Sequence, residues 1–197
     1  MVRVAVLVSG GGTNLQAIID AKQAGKIPSA ELALVLASND KAYALERAAK
    51  AGIESTVLRK AKGEDVNLYG ERLLAVLREH RIDLVVLAGF LTILPENVIR
   101  AYDHRILNVH PSLIPSFCGD GFYGLRVHEA ALEKGVKVTG ATIHFVNEIT
   151  DGGDIIAQKA VEVLPDDTPE TLQKRVMVEA EWVLLPQAVE TVAKSLN

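Results

Sequence analysis

Residues 3–14 read RVAVLVSGGGTN, and this stretch decides the fold. The apolar, β-branched run Arg3 to Val8 predicts a strand. It enters a glycine turn, Ser9-Gly10-Gly11-Gly12, and leaves it as a helix over Thr13 to Lys22, capped by Thr13 or Asn14, with Leu15, Ile18 and Ile19 at helical spacing. A strand that passes at once into a helix is the start of a parallel sheet, because parallel neighbours need a helix-length return connection.

Working outward, the same alternation repeats. Glu31 to Ala37 predicts a second strand, Ala42 to Ala51 a helix ended by Gly52, Glu54 to Leu58 a third strand and Val66 to Arg81 a long amphipathic helix. Asp83 to Ala88 is the most apolar strand, as a centre covered on both faces requires, and Ile106 to Val109 follows as a fifth. After His110 the pattern breaks into PSLIPSFCGDGFYG, with two prolines and three glycines, which predicts a long irregular loop of the kind that carries function. Beyond it come a helix at Leu125 to Lys134, strands at Val138 to Val146 and Asp154 to Val163 joined by Asn147 to Gly153, and an interrupted helix from Thr168 to Lys194. The expected class is α/β: a three-layer, Rossmann-like, mostly parallel twisted sheet with helices on both faces. No linker or repeat divides the chain, so residues 1–197 are expected to form a single domain whose first half, 1–110, is of nucleotide-binding type.

The 197 residues, 49% hydrophobic and 23% charged, are enough for one buried core and exclude disorder. The longest apolar stretch, Leu84 to Leu91, falls far short of the roughly 20 residues that cross a bilayer. MVRVAVLV reads as a strand rather than a targeting signal, so an unprocessed chain with no membrane partner is expected. A net charge of −4 leaves no basic excess to displace counterions from nucleic acid. The lone Cys118 cannot form an internal disulfide, which fits a reducing cytoplasm.

The glycine turn bends sharply where a helix begins, so its amides and the positive end of the helix dipole suit an anion. It lacks the Gly-Lys-Ser/Thr of a P-loop, and Leu15 stands where a dinucleotide fingerprint needs its third glycine. A single phosphate is the expected ligand, the plain alternative being a tight strand-to-helix turn. Ligands of open α/β sheets sit beyond the carboxyl ends of the strands, where Asn108 and His110 emerge on the same side of one strand. An amide donor beside an imidazole suits a carbonyl whose oxygen gains negative charge during attack. The bland reading is a satisfied polar strand end. Asp151, in Thr150-Asp151-Gly152-Gly153, would raise the pKa of His110 and favour imidazolium if the two meet; otherwise it is an ordinary turn residue.

Other conspicuous residues point to less. The five histidines, His80, His104, His110, His128 and His144, form no close ligand pair, and His128-Glu129 fails to complete H-E-x-x-H because Leu132 takes the last place, so no metal is expected. Cys118 has no adjacent base and reads as an inert loop thiol. Ser112 lacks a nucleophile elbow. His144, between Ile143 and Phe145, is given a supporting role, and Trp182 to Leu185 are read as core packing.

The motifs SGGGTNL (Ser9 to Leu15), LAGFLTIL (Leu87 to Leu94), LNVHPSLIP (Leu107 to Pro115), TIHFV (Thr142 to Val146) and TDGG (Thr150 to Gly153) occur in the order found in the phosphoribosylglycinamide formyltransferase family, which the whole chain resembles. The resemblance implies the formyltransferase fold, with 111–197 as the folate-binding half. It implies Asn108, His110 and Asp151 as catalytic residues, and Gly11, Gly12, Thr13 and Asn14 as contacts of the substrate phosphate. Glu181, five residues before Pro186, matches the acid that contacts the glycinamide substrate. It also implies a folate cleft lined by Leu91, Thr92, Ile93 and Leu94 and by Asn108, Asn147, Glu148, Ile149, Thr150 and Asp151. Thr92 stands where many members carry Arg, Val66 where a basic contact is frequent, and Asp154 where a Pro is frequent, and Lys60 or Lys62 are the substitutes available for the folate tail.

The implied reaction is direct transfer of formyl from 10-formyltetrahydrofolate to the amine of 5-phosphoribosylglycinamide, between two small-molecule substrates, by a monomer or homodimer and without a formyl-enzyme. Two rivals remain at this point. Another user of 10-formyltetrahydrofolate, a hydrolase or a methionyl-tRNA formyltransferase, would be expected to carry a further domain that 197 residues do not accommodate. A non-catalytic nucleotide-sugar module would have no use for the polar trio.

Overall fold

The structure, a computed structural model, describes residues 1–197. Seven strands form one sheet in the order β3-β2-β1-β4-β5-β6-β7. The elements run β1 (Val2–Val8), α1 (Thr13–Gln23), β2 (Ala30–Ala37), α2 (Ala44–Lys50), β3 (Ser55–Val57), α3 (Val66–Glu79), β4 (Leu84–Leu87), α4 (Glu96–Ala101) and β5 (Ile106–His110), followed by α5 (Leu125–Lys134), β6 (Val138–Phe145), β7 (Ile155–Glu162), α6 (Pro169–Val176) and α7 (Trp182–Leu196). The first five strands pair in parallel, and β6 and β7 are antiparallel additions.

Alternation along β1 builds the layers. Val4, Val6 and Val8 point to one face, where they pack with Leu15 and Ile18 of α1 and Leu185 and Val189 of α7. Ala5 and Leu7 point to the other, against Tyr69, Leu73 and Leu77 of α3 and Val98 of α4. Burying both faces explains why β1 and β4 are almost continuously apolar. No helix is long and apolar enough to cross a membrane.

One helix departs from the sequence reading, and another is refined by the structure. Helix α4 has no counterpart there, being only six residues long and opened by Pro95. The last helical stretch is interrupted as expected, and the interruption is a π-helical turn at Met177–Glu181 between α6 and α7. Thr168 and Thr171 cap α6 reciprocally, each side chain accepting from the other's backbone N–H. Of the run read as core, Leu184 and Leu185 are buried, but Val183 faces outward.

The order of the sheet positions the site. The chain leaves β1 for β2 on one side and later returns to β4 on the other, so a crevice opens beyond their carboxyl ends. The reversal at β5–β6 then sets Asn108 opposite His144 and His110 opposite Thr142.

Candidate active site

Asn108 and His110 project from the end of β5 into a cavity of about 690 Å³. Asp151 reaches the same place from the turn after β6, with φ at +53°. That turn needs its glycine at 153, where a Cβ would lie 1.8 Å from the Phe145 carbonyl oxygen. The Asp151 Oδ2 accepts from the Gly119 N–H at 2.9 Å and lies 3.4 Å from His110 Nδ1. His110 Nε2 donates to the Phe117 carbonyl at 2.9 Å, so the loop between β5 and α5 is built into the site.

His144 takes the supporting place read for it. Its Nδ1 lies 2.8 Å from the Phe145 carbonyl, which assigns a hydrogen to that nitrogen and leaves Nε2 to accept from Asn108 Nδ2 at 3.1 Å. The other Asn108 amide hydrogen has only a long contact, 3.4 Å, with Asp151 Oδ1. A closer acceptor in the cavity can take it.

Two opposing influences act on His110. Burial pulls its pKa below the ordinary value, and the opposing influences of the Asp151 carboxylate and the Phe117 carbonyl do not overcome it. Asp151 does favour the imidazolium, as the sequence suggests, but burial opposes it and sets the direction of the shift. Burial also acts to raise Asp151, but the His144 ring 3.5 Å from Oδ1, the Gly119 N–H and the His110 ring outweigh that effect and hold the carboxyl below its ordinary value.

The glycine turn lies at the far end of the same cavity. Thr13 and Asn14 line it, whereas Gly11 and Gly12 do not. Neither Thr13 nor Asn14 caps α1, contrary to expectation. The N-cap is Gly12, in left-handed conformation at φ +70° and without a side-chain cap. Asn14 is drawn away because its Nδ2 donates to Glu181 Oε2 at 2.7 Å, and the first amides of α1 are left unsatisfied. The π-helical turn ends at Glu181 and leaves it only 6% exposed, where burial pushes its carboxyl up to about 6 against the opposing Asn14 bond.

All of Leu91, Thr92, Ile93 and Leu94 line the cavity, as do Asn147, Glu148, Ile149, Thr150 and Asp151. Leu91, Ile93 and Ile149 stand exposed there. Lys60 and Lys62 are exposed elsewhere and do not line it, so neither replaces a basic contact within the cavity. Two contributors escaped the sequence reading. The Phe117 carbonyl carries no side-chain signal. His128 on α5 is fully buried at the cavity wall with neither ring nitrogen bonded, and burial lowers its pKa to about 4. Cys118 remains a thiol, its pKa raised by burial and by the Asp151 charge. Ser112 is buried and donates to the Ser116 carbonyl at 2.5 Å, a structural bond. No group of three or more His, Cys, Asp or Glu side chains is arranged to hold a metal ion.

The profile of one protein family, formyl transferase, matches residues 2–189. The chain belongs to the formyl transferase family. Among its relatives, the chloroplastic phosphoribosylglycinamide formyltransferase of Arabidopsis thaliana is 43% identical over 178 residues, covering 90% of this chain and 61% of the relative. The human trifunctional purine biosynthetic protein adenosine-3 is 42% identical over 191 residues, covering 97% of this chain and 18% of that protein. The crystal structure of glycinamide ribonucleotide transformylase 1 from Symbiobacterium toebii superposes with a TM-score of 0.92 at 41% identity, covering 99% of this chain and 89% of that one. The chain thus spans about three fifths of the plant relative's length.

Proposed function

We propose that this formyl transferase moves the formyl group of 10-formyltetrahydrofolate to the amine of 5-phosphoribosylglycinamide, a step of purine synthesis. The observation that carries the reading is that one cavity joins three parts. These are an oxyanion-binding pair at Asn108 and His110, an anion-suited turn with Asn14 and Glu181, and an apolar rim at Leu91, Ile93 and Ile149. The rim suits the flat rings of the formyl donor, and the turn suits the phosphate of the acceptor.

In this reading Asn108, His110 and Asp151 are the catalytic residues. Gly11, Gly12, Thr13, Asn14 and Glu181 bind the acceptor. The segments 91–94 and 147–151 hold the donor. Residues 1–110 supply the phosphate-binding half, and 111–197 complete the donor site. A cytoplasmic setting belongs to the same proposal.

The amine nitrogen attacks the formyl carbon, and the carbonyl electron pair moves onto oxygen. Asn108 donates to that oxyanion, for which one such donor is worth about 3–4 kcal/mol, and the His110 ring stabilises it by charge as it takes up the proton the amine releases. The attacking nitrogen then gives up a proton, the folate nitrogen gains one, and the bond between carbon and the folate nitrogen breaks. Holding two reactants in one cavity supplies up to roughly 7–11 kcal/mol on its own.

The test is incubation with 10-formyltetrahydrofolate, with and without phosphoribosylglycinamide. Loss of formyl that depends on the acceptor supports the proposal. Loss without acceptor indicates a hydrolase, and no loss indicates a binding module.

A further inference from the structure

The turn that would take the phosphate is held by its own carbonyls, four of the five through residues 38–47, which lead from β2 into α2, and the fifth within α1. Five consecutive carbonyls are captured. Val8 accepts from the Ser38 N–H at 3.0 Å, and Ser9 from the Asn39 side-chain amide at 2.9 Å. Gly10 accepts from the Ala44 N–H at 3.2 Å, Gly11 from Arg47 Nε at 2.8 Å and Gly12 from the Gln16 N–H at 2.9 Å. The N–H groups of Gly10 to Asn14 have no acceptor anywhere in the chain. Peptide geometry turns an N–H away from the neighbouring carbonyls, so fixing the carbonyls aims the amides. Contact on the α2 side is tight. A Cβ at Gly12 would lie 2.6 Å from the Ala44 Cβ, whereas one at Gly10 or Gly11 would meet nothing.

Arg47 has a second property. Its Nη1 donates to Gln16 Oε1 at 3.0 Å, so both of its bonds go to neutral acceptors, and no carboxylate lies within ion-pair distance. A half-buried guanidinium beside a ring of amides with no acceptor in the chain is a charge without a counter-charge. We propose that Arg47, assisted by Asn39, is a positioning residue for the acceptor's phosphate: it holds the Gly11 carbonyl back so that the turn's amides face the anion, and its positive charge offsets the phosphate. The inference rests on the proposed function, in which this turn is the phosphate site. It adds residues that touch the turn and not the reacting atoms.

Two readouts test it, one of them independent of activity. Inorganic phosphate is expected to raise the thermal midpoint of the wild-type protein, to have little or no effect on Arg47→Met, and to have an intermediate effect on Arg47→Lys, which keeps the charge. In turnover, Arg47→Met is expected to raise the acceptor KM at least tenfold, with kcat and the donor KM within about twofold. Should Arg47→Met fail to fold, Asn39→Ala, which frees the Ser9 carbonyl, is expected to shift both readouts in the same direction. Equal phosphate protection in wild type and folded variant overturns the proposal, as does a loss confined to kcat or to the donor KM, or a wild type that phosphate does not protect. A wild type without transferase activity but with Arg47-dependent phosphate protection refutes the function and supports the positioning role.

Discussion

Glu181→Gln is expected to make this protein more stable and a worse binder of its acceptor. The carboxyl is 6% exposed, and burial raises it from an ordinary 4.5 to about 6. The folded state therefore binds more protons than the unfolded state between those values, so the group's contribution to stability falls as pH rises through 6. Above about pH 7 the ionised carboxylate costs about 2 kcal/mol, from a shift of roughly 1.5 units at 1.36 kcal/mol each. Gln removes the charge and keeps an oxygen to accept from Asn14. At pH 8 the variant is expected to be about 2 kcal/mol more stable, a rise in midpoint of about 4–8 °C for a domain of this size, and the difference should vanish near pH 4.5. Thermal unfolding at pH 4.5 and pH 8 measures it, with acceptor KM at pH 8 as the functional counterpart. A difference independent of pH, or a variant less stable at pH 8, would refute the reasoning that the buried charge is what costs stability.

Asn108→Ala and His110→Ala should each lower kcat by about 10²–10³, with smaller changes in either KM, the signature of groups used in the transition state; single-turnover formyl transfer measures it. His144→Ala frees the Asn108 amide to rotate and is expected to cost about tenfold in kcat, less than removing Asn108 itself, since it acts only through orientation. Gly12→Ala places a side chain at φ +70° against Ala44 and should lose about 2 kcal/mol or more in denaturant unfolding, with weaker acceptor binding among the molecules that fold. Asp167, bonded by both Arg175 Nη atoms at 2.6 Å, is held well below the usual carboxylate range. Its stabilisation is complete at neutral pH and lost as pH falls below about 4, so Asp167→Asn should lower stability at pH 7 and flatten the acid limb of the stability curve.

The parts of the fold readable in the sequence are those where one residue's position settles its neighbour's. Val4, Val6 and Val8 alternate with Ala5 and Leu7, and the spacing of Leu15, Ile18 and Ile19 commits α1 to one face, so the layers around β1 could be written down directly. Asn108 and His110 share a side for the same reason. The β5–β6 register that sets His144 against Asn108 was not readable, because cross-strand register leaves no local trace. Neither was the Phe117 carbonyl, a backbone group every residue possesses. Helix α4 was missed for its length, since six residues hold too little periodicity to show. The influence of Asp151 on His110 is legible from sequence, whereas the burial that opposes it belongs to the folded molecule.

The balance between burial and the Asp151 charge at His110 bears on how the proposed reaction proceeds. An imidazolium permanently paired with Asp151 would be a fixed donor with no capacity to accept a proton. Burial lowers the pKa of His110, whose Nε2 lies 2.9 Å from the Phe117 carbonyl and whose Nδ1 lies 3.4 Å from Asp151, so the ring is free to gain a proton during the reaction. Each negative charge added nearby makes protonation of that ring easier, and an oxyanion forming in the cavity adds one at the moment the attacking amine must release a proton. The ring can take that proton, hold it while Asp151 balances the charge, and deliver it to the departing folate nitrogen. Burial keeps the base available before attack, and the chemistry itself supplies the field that charges it. Asp151→Asn should therefore impair kcat more than it changes the resting protonation of His110, a comparison that the imidazole's NMR titration and single-turnover rates make directly, and equal effects on both would show that the carboxylate acts only on the resting ring.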